Sequence, residues 1–335
     1  MTVAVNGRFT RRPVTGVERY ASEITLRLCT SPNAECTVLA PRREMSGVAG
    51  HLWEQTVLPV NFRRSGAQVL LSLCNVGPVS VATQLVVIHD VAPFLHPKTF
   101  TKGYGTQVRA LQRMLARRCT IATVSERSRR DLARVLGLDP ERIALVPPAV
   151  GAPFTAPAAG AGGRRCVFVG GHDERKNLGF VLSLWSEVHR RTGLQLDVVA
   201  RRTSATVRSG GQAGDVPGVR WHLDPDDEKL AALYGKALCV LSPSRYEGFG
   251  LPLLEGMACG TPFLATDTGA AAELAVDPDE QLLPLDARAW TRRLAHWGNG
   301  DPPHIREASR LHAQRWSWDR SAAALLMAAQ GAVAT

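Results

Sequence analysis

The sequence predicts an α/β protein built on two doubly wound parallel sheets. Three observations carry this. At 335 residues the chain exceeds what one ordinary core organises, so two domains are expected. Short apolar runs alternate with helix-period segments along its length, the pattern of strand–helix–strand units. Residues 147–163 are rich in Pro, Ala and Gly without periodicity and read as a linker. The domains drawn from this are 1–150, 151–315 and a closing helical stretch over 316–335.

Composition narrows the class. Apolar residues make up 45%, which suits a water-soluble globular protein. No apolar run reaches the length of a membrane span, and the first residues lack a signal-peptide design. Cys29, Cys36, Cys74, Cys119, Cys166, Cys239 and Cys259 are odd in number and contain no C-x-x-C. They are expected to be reduced core residues of a cytoplasmic protein. Residues 1–150 carry 20 Lys+Arg against 10 Asp+Glu, whereas the remainder carries 20 against 20. The first half therefore holds the whole excess of +10, and an acidic partner is expected there. Few aromatic residues and no basic–aromatic interleaving argue against nucleic acid. An anionic membrane surface or a phosphate-bearing acceptor fits.

In the first half, residues 2–6 form a short apolar strand. Thr15-Gly16-Val17-Glu18 reads as a capping box, and Tyr20, Ile24 and Leu28 continue the helix at its own spacing. Gly16 is either a plain turn residue or the place where backbone approaches a ligand above the sheet. Strand-like runs follow at 36–40, 69–73 and 84–89. The last ends in His89-Asp90, and a group at the carboxyl end of a parallel strand faces the binding crevice. His89 is thus a candidate for chemistry or a structural hydrogen-bonder. Residues 102–118 form a helix with Arg109, Arg113 and Arg117 on one face. After a strand at 120–124, Ser125 caps a second helix bearing Arg127, Arg129, Arg130 and Arg134. These basic helices either meet anionic headgroups or present a solvated face. A strand at 143–146 closes the half.

In the second half, a strand at 166–169 runs into Gly170-Gly171, and Arg175-Lys176 precede a helix over 178–191. A diphosphate needs such a turn: backbone amides and adjacent cations for its oxygens. Strands follow at 194–200 and 219–222. Asp224, Asp226, Asp277 and Asp279 sit in Pro-containing turns, where helix capping explains them better than a metal site. Beyond 260, strands are expected at 262–265 and 283–285, with a helix over 287–297.

The most informative stretch is 241–260. An apolar strand at 237–241 leads to Glu247, then Gly248-Phe249-Gly250, Leu251 and Pro252, where a helix would start at its first position. Gly260 and Pro262 stop that helix. Glycines let backbone approach a ligand, and first-turn amides attract phosphate. Glu255, expected in the first turn, could accept from two ribose hydroxyls, and Glu247 could meet a sugar beyond the diphosphate. Alternatively Glu255 complements the helix dipole and Glu247 is a surface residue.

With these pieces placed, the chain resembles the retaining glycosyltransferases of family 4, which have the two-domain GT-B fold. The resemblance rests on Thr15-Gly16-Val17-Glu18-Arg19-Tyr20, Ile88-His89-Asp90, Thr123-Val124-Ser125-Glu126-Arg127-Ser128, Arg175-Lys176-Asn177 and the element from Pro243 to Gly260. It implies two Rossmann-like domains facing across a cleft, with the nucleotide held mainly by the second. The last helix would cross back to the first domain. It further implies transfer of a mannosyl- or glucosyl-type hexosyl unit from a UDP- or GDP-linked sugar to a hydroxyl of a glycan, lipid-linked or small-molecule acceptor, as in polysaccharide biosynthesis. Carried over by position, Glu247 and His89 would contact the donor sugar and Glu255 the ribose. Arg175 and Lys176 would neutralise the diphosphate, helped by the amides of Gly248, Phe249, Gly250 and Leu251, with Gly16 approaching from the first domain. No metal and no further cofactor are implied. A sugar-nucleotide epimerase or phosphorylase on the same fold is the alternative, and a non-catalytic scaffold subunit a more distant one.

Overall fold

A computed structural model describes every residue except 13, 46, 155–162, 171–172, 201–215, 301–302 and 335. The chain forms two units, Met1–Pro148 together with Trp316–Thr335, and Ala149–Arg315.

The first unit is organised by a six-stranded parallel sheet: β1 Thr2–Asn6, β2 Glu35–Leu39, β3 Val69–Ser72, β4 Gln84–Val87, β5 Thr120–Thr123 and β6 Ile143–Leu145. The spatial order is β2-β1-β3-β4-β5-β6. Val3, Ala4, Val5, Leu70 and Leu71 are all buried, so both faces of the central strands are covered, as an all-parallel sheet requires. The chain steps from β1 outward to β2, then crosses to the other side of β1 for β3. The winding therefore reverses between β1 and β3, and the carboxyl ends of those two strands form a switch point where α/β sheets bind ligands.

Helices cover this sheet: α1 Gly16–Thr30, α2 Gly47–Ser65, α3 Lys102–Ala116 and α4 Glu126–Leu136. At the start of α1 the Thr15 amide donates to Glu18 Oε2 at 3.2 Å, closing one arm of the expected box. Ser125 Oγ accepts from the Ser128 amide at 3.0 Å to cap α4. That helix ends at Gly137, whose φ of 68° favours glycine. The terminal helix, Trp318–Ala334, packs on this unit. Its Trp318 ring meets Tyr20 edge-on at 5.8 Å, and Ser321 Oγ donates to the Pro147 carbonyl at 2.6 Å.

The second unit has β7 Arg165–Val169, β8 Gln195–Ala200, β9 Val219–Leu223, β10 Cys239–Ser242 and β11 Phe263–Ala265, parallel in the order β11-β10-β7-β8-β9. Its helices are α5 Leu178–Thr192, α6 Asp227–Gly235, α7 Leu251–Ala258, α8 Ala287–Asn299 and α9 Pro303–Ala313. Trp185, Trp290 and Trp297 are sealed in one core with Leu194 and Leu196. The reversal falls between β7 and β10. Asp226 and Asp277 each cap a helix, accepting from the Lys229 and Glu280 amides at 2.9 and 3.1 Å.

Several expectations are corrected. Cys29 and Cys36 are joined by a disulfide, so not all seven cysteines are reduced. The chain folds back from the end of α1 into β2, bringing their Cα atoms to 4.8 Å. Residues 283–285 form no strand; Leu282 makes only an isolated bridge to Ala265. The helix α2 was not foreseen. Of the linker expected over 147–163, residues 155–162 lie outside the described residues, as does Gly171. No helix among the described residues is long and apolar enough to cross a membrane.

Candidate active site

Two loops leave the carboxyl ends of the neighbouring strands β7 and β10 and are stitched together. The Arg245 amide donates to the Arg175 carbonyl at 2.7 Å, and Asn177 Nδ2 donates to the Pro243 carbonyl at 3.2 Å. Asn177 takes a left-handed conformation, φ 58°, and stands at the N-cap of α5. The sequence thus delivers Arg175 and Lys176 just before a helix N-terminus, at the switch point of the second sheet.

Both cations rest on carboxylates. Lys176 Nζ lies 2.6 Å from Glu247 Oε1. The same carboxylate oxygen accepts from Ser244 Oγ at 2.7 Å, and Ser244 is itself buried. Arg175 forks onto Asp173 through Nε and Nη2 at 3.2 and 2.7 Å. Burial raises the pKa of Asp173, but the Arg175 hydrogen bonds outweigh it and hold the carboxyl below its ordinary range. Arg175, Lys176, Ser244 and Glu247 form one charged, half-buried array.

The glycine loop behind Glu247 has a specific support. Gly269, at φ 56°, packs so tightly that a Cβ there would come within 2.7 Å of the Phe249 carbonyl and 2.8 Å of Glu247 Cβ. The Ala270 amide donates to the Phe249 carbonyl at 2.9 Å. Gly250, at φ 104°, is the N-cap of α7. The helix therefore begins at Leu251, with Pro252 second rather than first, which corrects the expected start by one residue. Glu255 consequently falls in the second turn. It is 6% exposed and accepts from the Tyr234 hydroxyl at 3.0 Å. Burial, then the charge of Glu255, pushes the neighbouring Cys259 thiol up to about 12.

The remaining expected residues belong to the first unit. Gly16 is the first residue of α1. His89 lies two residues beyond β4, 8% exposed. Its amide donates to Asn75 Oδ1 at 2.7 Å, its Nε2 lies 2.9 Å from the Leu73 carbonyl, and its ring meets Tyr20 edge-on at 4.7 Å. A carbonyl only accepts, so Nε2 carries the proton and Nδ1 is an acceptor. Burial pulls the imidazole below the ordinary histidine value, against the Leu73 carbonyl and the charges of Asp90 and Glu18. His89 is thus a neutral acceptor, suited to a hydroxyl and not to an anion.

Sequence reasoning gave no individual role to three contributors: Ser244, Asn177 and Asp173. Asp173 and Asn177 flank the noted Arg-Lys pair and Ser244 precedes Glu247 by three residues, so proximity was the available signal. Among the described residues no group of three His, Cys, Asp or Glu side chains could hold a metal ion.

The chain is similar to known proteins in sequence and in fold. Residues 163–297 match the family described as Glycosyl transferases group 1. An MMP alpha-(1->4)-mannosyltransferase of Mycolicibacterium hassiacum is 32% identical over 50% of this chain and 42% of its own length. The chain spans about half the length of the curated relatives it matches. A sucrose-phosphate synthase from Thermosynechococcus elongatus superposes with a TM-score of 0.74 at 17% identity, covering 97% of both chains. HepE of Anabaena, solved with UDP and glucose, gives 0.73 at 13% identity, covering 97% of this chain and 98% of its own. The fold is GT-B, and the part of the chain that matches the family model is residues 163–297.

Proposed function

We propose that the protein is a retaining glycosyltransferase that moves a mannosyl- or glucosyl-type unit from a UDP- or GDP-linked sugar to an acceptor hydroxyl. The observation that carries this is the pairing of Lys176 with Glu247 at 2.6 Å, beside Arg175 and the N-termini of α5 and α7. Cations, free helical amides and a carboxylate on one edge suit a ligand with a diphosphate next to a polyol. The mannosyltransferase relative and the UDP- and glucose-bound neighbour support the same ligand class.

A diphosphate competes with Asp173 and Glu247 for the two cations. Once Lys176 turns to a phosphate oxygen, Glu247 is released to accept hydrogen bonds from sugar hydroxyls, with Ser244 holding its other contact. As the bond from the anomeric carbon to the phosphate oxygen breaks, charge grows on the departing phosphate. Arg175, Lys176 and the amides from Gly248 to Leu251 stabilise it electrostatically. The acceptor oxygen bonds to the same face of the anomeric carbon, and its proton passes to the leaving phosphate oxygen. Glu255 binds the ribose, and neither metal nor additional cofactor takes part. Arg117 and Arg118 lack carboxylate partners among the described residues, and this exposed basic end of α3 makes peripheral contact with anionic membrane at the cytoplasmic face.

A thermal-shift panel of UDP, GDP, ADP and dTDP tests the donor, because a ligand of the native state raises its melting temperature. One nucleotide should stand out; a flat panel sinks the reading.

A further inference from the structure

The first unit has its own cavity, and no part of the preceding mechanism uses it. It holds about 120 Å³, room for about four waters. Asn6, the last residue of β1, and Cys74 and Asn75, just beyond β3, line it, which places it at the switch point of the first sheet. A larger open depression of about 530 Å³, at Met1, Thr2 and Glu35, lies at the opposite, amino-terminal edge.

The hydrogen bonding around this cavity is unbalanced. Its carboxylate, Glu54, is already engaged: Asn6 Nδ2 donates to it at 2.9 Å, Arg8 Nη1 pairs with it, and His51 Nδ1 lies 3.3 Å away. Glu18, the carboxylate next to Arg12, accepts from the Thr15 amide and hydroxyl and pairs with Arg12 at 3.1 Å. Donors are left over. Arg8 is 8% exposed, and its Nε is buried with no acceptor among the described residues. Asn75 spends its amide oxygen on the His89 amide, so its NH₂ is what remains. The Tyr104 hydroxyl has no partner among the described residues, and burial pushes its acidity further from neutrality. Arg12 is fixed by one contact and keeps the rest of its guanidinium at the rim, 38% exposed. The cavity also borders Gly47, the first residue of α2, a helix of 19 residues.

A cavity whose acceptors are taken and whose donors are not suits a ligand made of acceptors. We propose that the cavity bounded by Asn6, Arg8, Arg12, His51, Asn75 and Tyr104 binds a phosphate group carried by the acceptor substrate. Assigning the phosphate to the acceptor rests on the transfer reading above; the anion site does not. Arg12 and Tyr104 hold its oxygens at the rim, and Arg8 supplies the buried charge that Glu54 keeps oriented.

The experiment is calorimetric titration with inorganic phosphate against chloride of equal ionic strength. The wild-type protein should bind phosphate, and Arg12→Gln should weaken binding at least about tenfold, the worth of a charge-assisted hydrogen bond. Tyr104→Phe, which removes only the hydroxyl, should weaken it a few-fold. Lys176→Ala should leave this binding intact. Phosphate binding that is absent, indifferent to both first-unit variants, or lost in Lys176→Ala overturns the proposal. Phosphatidylcholine vesicles with and without phosphatidate separate the sources. Arg12-dependent binding to phosphatidate identifies a lipid-borne phosphate, and phosphate binding without vesicle binding identifies a soluble ester; either supports the site. Should no nucleoside diphosphate shift the melting temperature while the titration holds, the transfer reading fails and the anion site stands.

Discussion

The two units carry polar sites at equivalent places, each where the winding of its sheet reverses, yet they are built differently. In the second, Arg175, Lys176, Ser244 and Glu247 come from two short loops, and all but the buried Ser244 remain partly exposed. In the first, Asn6, Arg8, His51 and Glu54 come from β1, its exit loop and α2, and all four are buried. An exposed ion pair is a poor stabiliser but can be exchanged for a ligand. A buried one is costly to break because the surviving charge is left without a partner. The second site is therefore organised for exchange and the first for permanence.

Breaking each pair should reveal this. Glu54→Ala leaves Arg8 buried and unpaired, and should cost about 3–5 kcal/mol of stability, read as a fall in the urea midpoint. If Glu54→Ala unfolds no more easily than Lys176→Ala, the contrast is wrong. Lys176→Ala and Glu247→Ala should each lower sugar transfer about 10²–10³-fold while leaving the melting temperature nearly unchanged; full activity in either overturns the site. Ser244→Ala removes one hydrogen bond to Glu247, worth about 1 kcal/mol. It should reduce kcat roughly five-fold with little change in nucleotide affinity, and a change in affinity alone would make Ser244 a packing residue.

The smallest effect concerns pH. The folded value of His89 lies below its unfolded value of about 6.5. The unfolded chain thus takes up that proton first, and stability present above about pH 6.5 is lost as pH falls below it. In the second unit, burial raises the value of Asp197, but hydrogen bonds from Arg165 and His222 outweigh it and leave it lowered. Its contribution is present above about pH 3.9 and fades as pH falls through the folded value. Urea midpoints of wild type and His89→Gln should converge between pH 7 and pH 5. A constant difference would show that His89 does not set this acid sensitivity.

How far the sequence revealed these features follows from where the information lies. The strands of both sheets were readable because continuous apolar runs between glycines and prolines have few other uses, although their ends shifted by a residue or two. The second site was visible because glycines, cations and a helix start fall within a few adjacent residues. The first was not, since Asn6, His51, Asn75 and Tyr104 are drawn from distant segments that only the sheet order brings together. The helix α2 hid for another reason: Pro59 lies inside it, and an internal proline removes a backbone donor and argues against helix. Residues 283–285 have a strand's composition, but the pairing stops at an isolated bridge between Leu282 and Ala265 and one bond from the Leu283 amide to the Ala265 carbonyl.

The packing of the terminal helix on the first unit bears on how the protein is made. Tyr20 and Pro147 find their partners Trp318 and Ser321 only after the whole second unit has left the ribosome, on the order of ten seconds or more later at ordinary elongation rates. The first unit to be synthesised is therefore the last to be completed. Throughout that interval it carries an uncovered apolar seam beside Tyr20, a surface on which chaperones act and from which aggregation starts.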